Sequence, residues 1–201
     1  MAILTSTQLK SMLRAATEKI RAHHEILSEL ESHGGDRDHG TTMLRAMDIL
    51  DKTVAENEDA GIAPLLSAIG WALMGVDGGA TGPLFGAFFN GMAEPAEGKD
   101  HLDAAALAAS FNSGLAGIQK YSKAKPGDKT MLDALVPAVE AAQKAADSGA
   151  EIIALLEQTA VAAHEGAVAT KQLQARFGRA KNIGEASIGN QDAGATSVSL
   201  I

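Results

Sequence analysis

Cysteine is absent from the 201 residues, which removes disulfides, thiolate chemistry and cysteine-ligated zinc together. Aromatic residues make up only 3%, too few for a β-sandwich core, whose strands favour aromatic and β-branched side chains. No uninterrupted apolar run reaches about 18 residues, so no membrane span is expected. Met1 to Gln8 likewise lacks the long apolar stretch of a signal peptide. A basic excess is missing too: 17 Lys and Arg face 25 Asp and Glu, a net charge of -8, which argues against nonspecific binding to a nucleic acid. These absences fit a soluble protein of a reducing, cytoplasmic compartment.

What is present is aliphatic. Hydrophobic residues reach 46% with alanine abundant, and a core of Ala, Leu, Ile, Val and Met suits close-packed helices. One such core serves a chain of this length, so a single domain over residues 1–201 is expected. The fold class expected is all-α, because almost no stretch alternates with period two while several step by three and four.

The first helical stripe runs from Leu9 through Met12, Leu13, Ala16, Ile20, Ile26, Leu27 and Leu30, with Thr5 and Gln8 as its capping box. It should stop near Ser32, before Gly34-Gly35. Further stripes cover Thr42 to Val54, Ile62 to Met74, the segment after Gly82-Pro83 through Met92, and Leu107 to Ile118. Asp128 reads as the cap of a helix carrying Met131, Leu135 and Val139. A last long helix begins at Ile152 and is expected to reach Arg176, with Gly178 as its stop. Seven or eight helices result, and about eight are expected.

The loops between them are richer in Gly and Asp than helix packing needs. In Glu31-Ser32-His33-Gly34-Gly35-Asp36-Arg37-Asp38-His39, two aspartates two apart, with Glu31 at the helix end, offer the oxygen ligands that Mg2+ takes. The same stretch also reads as an acidic solvated turn with Asp38 capping the next helix. Gly75-Val76-Asp77-Gly78-Gly79-Ala80-Thr81-Gly82 lets backbone amides approach a phosphate, or lets two helices pack tightly through Gly78, Gly82 and Gly86. Pro126-Gly127-Asp128-Lys129-Thr130 is not a Walker A loop, since Asp128 separates glycine from lysine and no strand precedes it. It reads as a capping turn. Arg179 can neutralise a phosphate or form an ordinary surface ion pair.

Taken in order, Gly35-Asp36-Arg37-Asp38-His39-Gly40, Gly78-Gly79-Ala80-Thr81-Gly82-Pro83-Leu84, Pro126 to Met131, Gly178-Arg179-Ala180 and Gly189 to Ser197 resemble the signatures of the nucleotide-binding L subunits of bacterial dihydroxyacetone kinases. The resemblance runs along essentially the whole chain. It implies a barrel of antiparallel amphipathic helices with ADP or ATP at one end and two Mg2+ ions held by Glu31, Asp36 and Asp38. By the same resemblance the nucleotide contacts are His39, Gly40, Thr41 and Thr42, then Gly78, Gly79, Ala80 and Thr81. Ser122, Thr130, Met131, Arg179, Asp192, Ala193 and Gly194 complete them, and Arg179 is the catalytic group.

The implied partners are a K subunit that holds the ketose and, in phosphotransferase-system forms, an M-type subunit that rephosphorylates the bound ADP. Departures from the family pattern are Glu31 and Arg37, where aspartate and a small residue are usual, and Asn190 and Ala193, where histidine and proline are usual. Glu31 and Arg37 also fit a second reading, a noncatalytic nucleotide-sensing subunit that regulates a partner protein.

Overall fold

The computed structural model describes residues 2–201. Among them the chain forms eight α-helices: α1 (Ser6–Ser32), α2 (His39–Glu56), α3 (Ile62–Met74), α4 (Thr81–Ala93), α5 (Ala104–Gln119), α6 (Leu132–Asp147), α7 (Ile152–Ala169) and α8 (Ala193–Leu200). The two-residue strands β1 (Leu4–Thr5) and β2 (His101–Leu102) pair antiparallel, Leu4 opposite Leu102. The start of α1 is the capping box read from sequence: Gln8 N–H donates to Thr5 Oγ1, and Thr5 N–H donates to Gln8 Oε1 at 2.8 Å.

Each helix packs on the next in the chain, and α8 returns to α1, closing a ring. The neighbours run antiparallel. Lys10 and Arg21 of α1 reach Glu58, beyond the end of α2, and Asp48 within it, and Gly86 of α4 lies against Gly70 of α3. Every odd helix therefore ends, and every even helix begins, at the same end of the barrel. Most of the stripes legible in the sequence face inward: Ile20, Leu27, Met43, Leu50, Leu66, Ile69, Leu107 and Ile118 are all fully buried, whereas Met12 and Ile26, read into the α1 stripe, lie on its exposed side. The interior is not filled solid. An apolar cavity of about 250 Å³ remains between residues such as Leu9, Leu13, Phe88, Leu135 and Leu156. Among the described residues no helix is long and apolar enough to cross a membrane.

Small residues decide how closely α3 and α4 approach. A methyl group on Gly86 would sit 2.6 Å from Met74 Cγ and 2.7 Å from the Gly70 carbonyl oxygen, so the helices must separate to admit it. The helix-packing reading of Gly82 and Gly86 is thereby met. Alanine raises helix propensity over glycine, but overpacking against backbone costs more. Gly86→Ala should therefore lower the unfolding free energy by about 1–3 kcal/mol in urea titration, and a stabilised variant would contradict the close approach.

Three expectations are corrected. Asp128 does not cap α6; its Oδ2 accepts from Lys125 N–H at 2.8 Å. Asp133, inside the first turn of α6, organises the entry instead, accepting from Gly127 N–H at 2.5 Å and Thr130 N–H at 2.7 Å. The helix from Ile152 stops at Ala169 rather than Arg176, followed by one 3-10 turn, Thr170–Gln172. The Thr170 hydroxyl donates back to the Ala167 carbonyl and accepts from Asp192 N–H, which ties the helix end to the start of α8. Gly178, with φ of 65°, opens a 3-10 stretch, Arg179–Ser187, instead of ending a helix.

Candidate functional site

At the end where the even helices begin, a cavity of about 230 Å³ opens. Its wall includes the starts of α2 at His39, of α4 at Ala80 and Thr81, of α6 at Met131, and of α8 at Asp192, Ala193 and Gly194. Helix N-termini present unpaired N–H groups and the positive end of the helix dipole, so an anion is favoured there. The up-and-down order of the chain gathers them; no single segment builds this site.

Three carboxylates sit at its rim. One oxygen each of Glu31, Asp36 and Asp38 lie within 4.8 Å of one another. Glu31 caps α2 by accepting from His39 N–H through Oε2 at 2.7 Å. The cap expected of Asp38 is not made, because Glu31 reaches back over Gly35 to take that role. Asp36 forms an ion pair with Arg179, and Arg179 lines the cavity. Both partners are about half exposed, and such a pair is worth no more than about 1 kcal/mol. Arg179 is therefore cheaply redirected. Arg37, between the two aspartates, has a φ of 67° and is exposed.

His39 hydrogen-bonds the Ser197 hydroxyl through Nε2 at 2.7 Å. Burial pushes its pKa down to about 4, against a smaller upward pull from the Ala193 carbonyl, so the ring is neutral at physiological pH. Asp192 Oδ2 caps α8, accepting from Ala195 N–H at 2.7 Å. Burial lifts its pKa from 3.8 to about 6, opposed by the Ala195 N–H and assisted by the charge of Asp133. Between those values the folded chain keeps a proton that the unfolded chain has released. Asp192 therefore adds stability as pH falls through that window and withdraws it as pH rises through about 6. Asp192→Asn retains an acceptor but does not titrate. Relative to this variant, the wild-type urea midpoint should rise on going from about pH 7 to about pH 4; a constant difference would show that Asp192 is not desolvated.

Of the residues expected at the site, Glu31, His39, Ala80, Thr81, Thr130, Met131, Arg179, Asp192, Ala193 and Gly194 line the cavity. Asp36, Asp38, Gly40, Thr41, Thr42, Gly78, Gly79 and Ser122 do not, the two aspartates lying beside Glu31 and outside the lining. Gly40 is pressed against the His24 carbonyl of α1, and Gly78, with φ of 128°, covers the Thr42 side chain. Thr42 Oγ1 is buried with no hydrogen-bond partner among the described residues. Ser122 Oγ accepts from Ala124 N–H in the connection after α5. Lys129, Phe177 and Ile183 line the cavity without having been singled out. Lys129 sits in the turn that had read as a cap, and its central position depends on partners far along the chain.

A closed ring of antiparallel helices that opens four helix N-termini and an arginine onto one cavity is an α-helical barrel with an anion-accepting end. The chain belongs to the DAK2 domain family, whose model matches residues 33–201. It is 36% identical over 195 residues to the ADP-binding subunit DhaL of the PEP-dependent dihydroxyacetone kinase of Escherichia coli K12, covering 97% of this chain and 93% of that protein. It is 37% identical over 180 residues to the ADP-binding subunit DhaL of PEP-dependent dihydroxyacetone kinase 2 of Listeria innocua, covering 89% and 83%. The barrel superposes on the dihydroxyacetone kinase of C. freundii in its native form with a TM-score of 0.74 at 25% identity, over 98% of this chain and 33% of that one.

Proposed function

We propose that this chain is the nucleotide-binding subunit of a dihydroxyacetone kinase. On this reading it holds ADP or ATP with two Mg2+ ions and presents the phosphoryl group to a short-chain ketose seated on a separate K-type subunit. The observation that carries the proposal is the meeting of the Glu31, Asp36 and Asp38 carboxylates with Arg179 and four helix N-termini around one cavity. The donor set suits the ion, because Mg2+ takes hard oxygen ligands, commonly one or two carboxylates completed by phosphate and water. The names of the Escherichia coli and Listeria relatives, which this chain matches over most of their length, support the nucleotide and the substrate. Their dependence on PEP supports an M-type phosphotransferase partner in the cytoplasm.

The reaction asks this chain for positioning and charge neutralisation rather than a covalent intermediate. Glu31, Asp36 and Asp38 would hold the metal, which when bound neutralises phosphate charge. The N–H groups at the start of α4, which no side chain caps, donate to phosphate oxygens, and Thr130 and Met131 bound the nucleoside. Arg179, released from Asp36 once that carboxylate is engaged, turns to the phosphate. Gly78 and Thr42 support the wall from behind. Native mass spectrometry of the purified chain tests the reading. An added mass of one ADP and two Mg2+ is expected, and a chain that takes up no adenine nucleotide at any Mg2+ concentration overturns it.

A further inference from the structure

Lys129 is only 5% exposed and, although not a glycine, holds a left-handed backbone with φ of 61°. Its Nζ donates to the carbonyl oxygens of Thr170 at 3.0 Å, Leu173 at 3.2 Å, Ser187 at 2.6 Å and Asn190 at 2.6 Å. Every one of these acceptors belongs to the connection from α7 to α8, which also carries Phe177, Arg179 and Asp192 into the cavity wall. A neutral amine would meet four acceptors with two protons, so the ammonium is the form that this nest accepts. Burial lowers its pKa, while the nearby charges of Asp192 and Asp133 raise it.

A ring of backbone carbonyls around a compact, dehydrated cation is also how protein takes K+ out of water. We propose that Lys129 is a built-in monovalent cation, a positioning residue whose ammonium occupies a potassium-like carbonyl nest and thereby holds the Arg179 segment over the nucleotide cavity. On the N-terminal side of the Arg179 segment the connection is also tied by Arg176 N–H, which donates to the Asp128 carbonyl at 3.0 Å, and Ala180 and Ile183 lie against Gly34. Between Phe177 and Ile183 no side-chain hydrogen bond to the rest of the barrel is present among the described residues, beyond the exposed pair of Arg179 with Asp36. Removing the ammonium leaves the Leu173, Ser187 and Asn190 carbonyls without a donor among the described residues and Thr170 with only the Leu173 N–H, and it takes their counter-charge from Asp192 and Asp133. The space vacated has the ligands and the local negative charge to admit a small cation.

The proposal rests on the nucleotide-binding reading only for its second measurement. Lys129→Gly empties the nest without straining the left-handed backbone; Lys129→Met fills it with an uncharged chain of similar length. The first measurement is hydrogen exchange of the amides from 173 to 191 with no nucleotide present. In N-methylglucamine buffer Lys129→Gly should exchange faster than wild type there, and K+ or NH4+ should restore protection. Lys129→Met should stay unprotected in every salt, and wild type should not respond to the monovalent ion.

The second measurement is calorimetry of ADP with Mg2+. Lys129→Gly is expected to bind roughly tenfold or more weakly in N-methylglucamine and to recover in K+ or NH4+ but not Li+. Wild-type protection and affinity in both variants, or a loss in Lys129→Gly that no cation relieves, would overturn the cation role. If Lys129→Gly does not fold in any salt, the wild-type Lys129 ammonium is followed by 15N NMR. A slowly exchanging signal supports the nest, and a rapidly exchanging one overturns it. Failure of the wild type itself to bind ADP would instead strike the functional reading and leave the exchange result standing.

Discussion

Asp36→Asn and Asp38→Asn should each abolish Mg2+-dependent binding of ADP while leaving the barrel folded. The substitution preserves shape and one oxygen but removes the charge that a small, strongly hydrated dication needs before it surrenders water. Losing even an outer-shell partner of a metal ligand commonly costs about 10–100-fold in affinity, so loss of a ligand should cost at least about 100-fold. Stability should scarcely change, because Asp36 takes part only in an exposed pair with Arg179 and Asp38 does not cap α2. Calorimetry with saturating Mg2+ and with chelator reads the effect, and circular dichroism reads the fold. Wild type should bind ADP only with the cation present, since phosphates and a cluster of three carboxylates repel one another without it. Full affinity in both variants would place the metal elsewhere.

The isolated chain should give no detectable phosphorylation of dihydroxyacetone, and turnover should appear when the K-type subunit is supplied with ATP or with the phosphotransferase components. Transfer needs the acceptor oxygen aligned with the phosphate and a group to take its proton. On the proposed reading the wall is taken up by nucleotide and metal: Glu31 is committed to the metal and to the His39 N–H, Asp192 accepts from the Ala195 N–H, and His33 lies at the end of α1. His39 has its pKa pushed down to about 4 and its Nε2 is engaged by Ser197. His23 and His24 lie on α1, where their Nδ1 atoms face the carbonyls of Lys19 and Arg21 one turn back. A coupled assay on rigorously purified chain, with and without the partner, measures the difference. Robust turnover by the chain alone would require a ketose site beside the phosphates with a base drawn from this wall, His33 being the candidate, and would overturn the division of labour.

Legibility followed distance along the chain. Glu31, Asp36 and Asp38 span a single helix end and loop, so their clustering was readable from spacing and from resemblance. The capping box of Thr5 and Gln8 is similarly local. Asp128 and Asp133 both lay within reach of the same turn, and sequence had no means of choosing between them. The choice depends on how α6 enters the barrel. The end of α7 is not legible locally, because helix-forming residues, Lys171, Gln172, Leu173, Gln174, Ala175 and Arg176, continue past Ala169 with no Gly or Pro before Gly178. What stops the helix is Thr170 bonding to Asp192, 22 residues later.

By itself the sequence determined that the chain is helical, where seven of the helices lie, most of their apolar faces and which loops are rich in Gly and Asp. These are properties of neighbouring residues: apolar spacing selects a helix face, and Gly and Asp select a turn. The tertiary structure decided that the even helices all begin at one cavity, that Arg179 pairs with Asp36, and that Lys129 is enclosed by carbonyls from 41 to 61 residues downstream. Ring closure and burial set these, since desolvation and the convergence of helix ends depend on which segments share a volume.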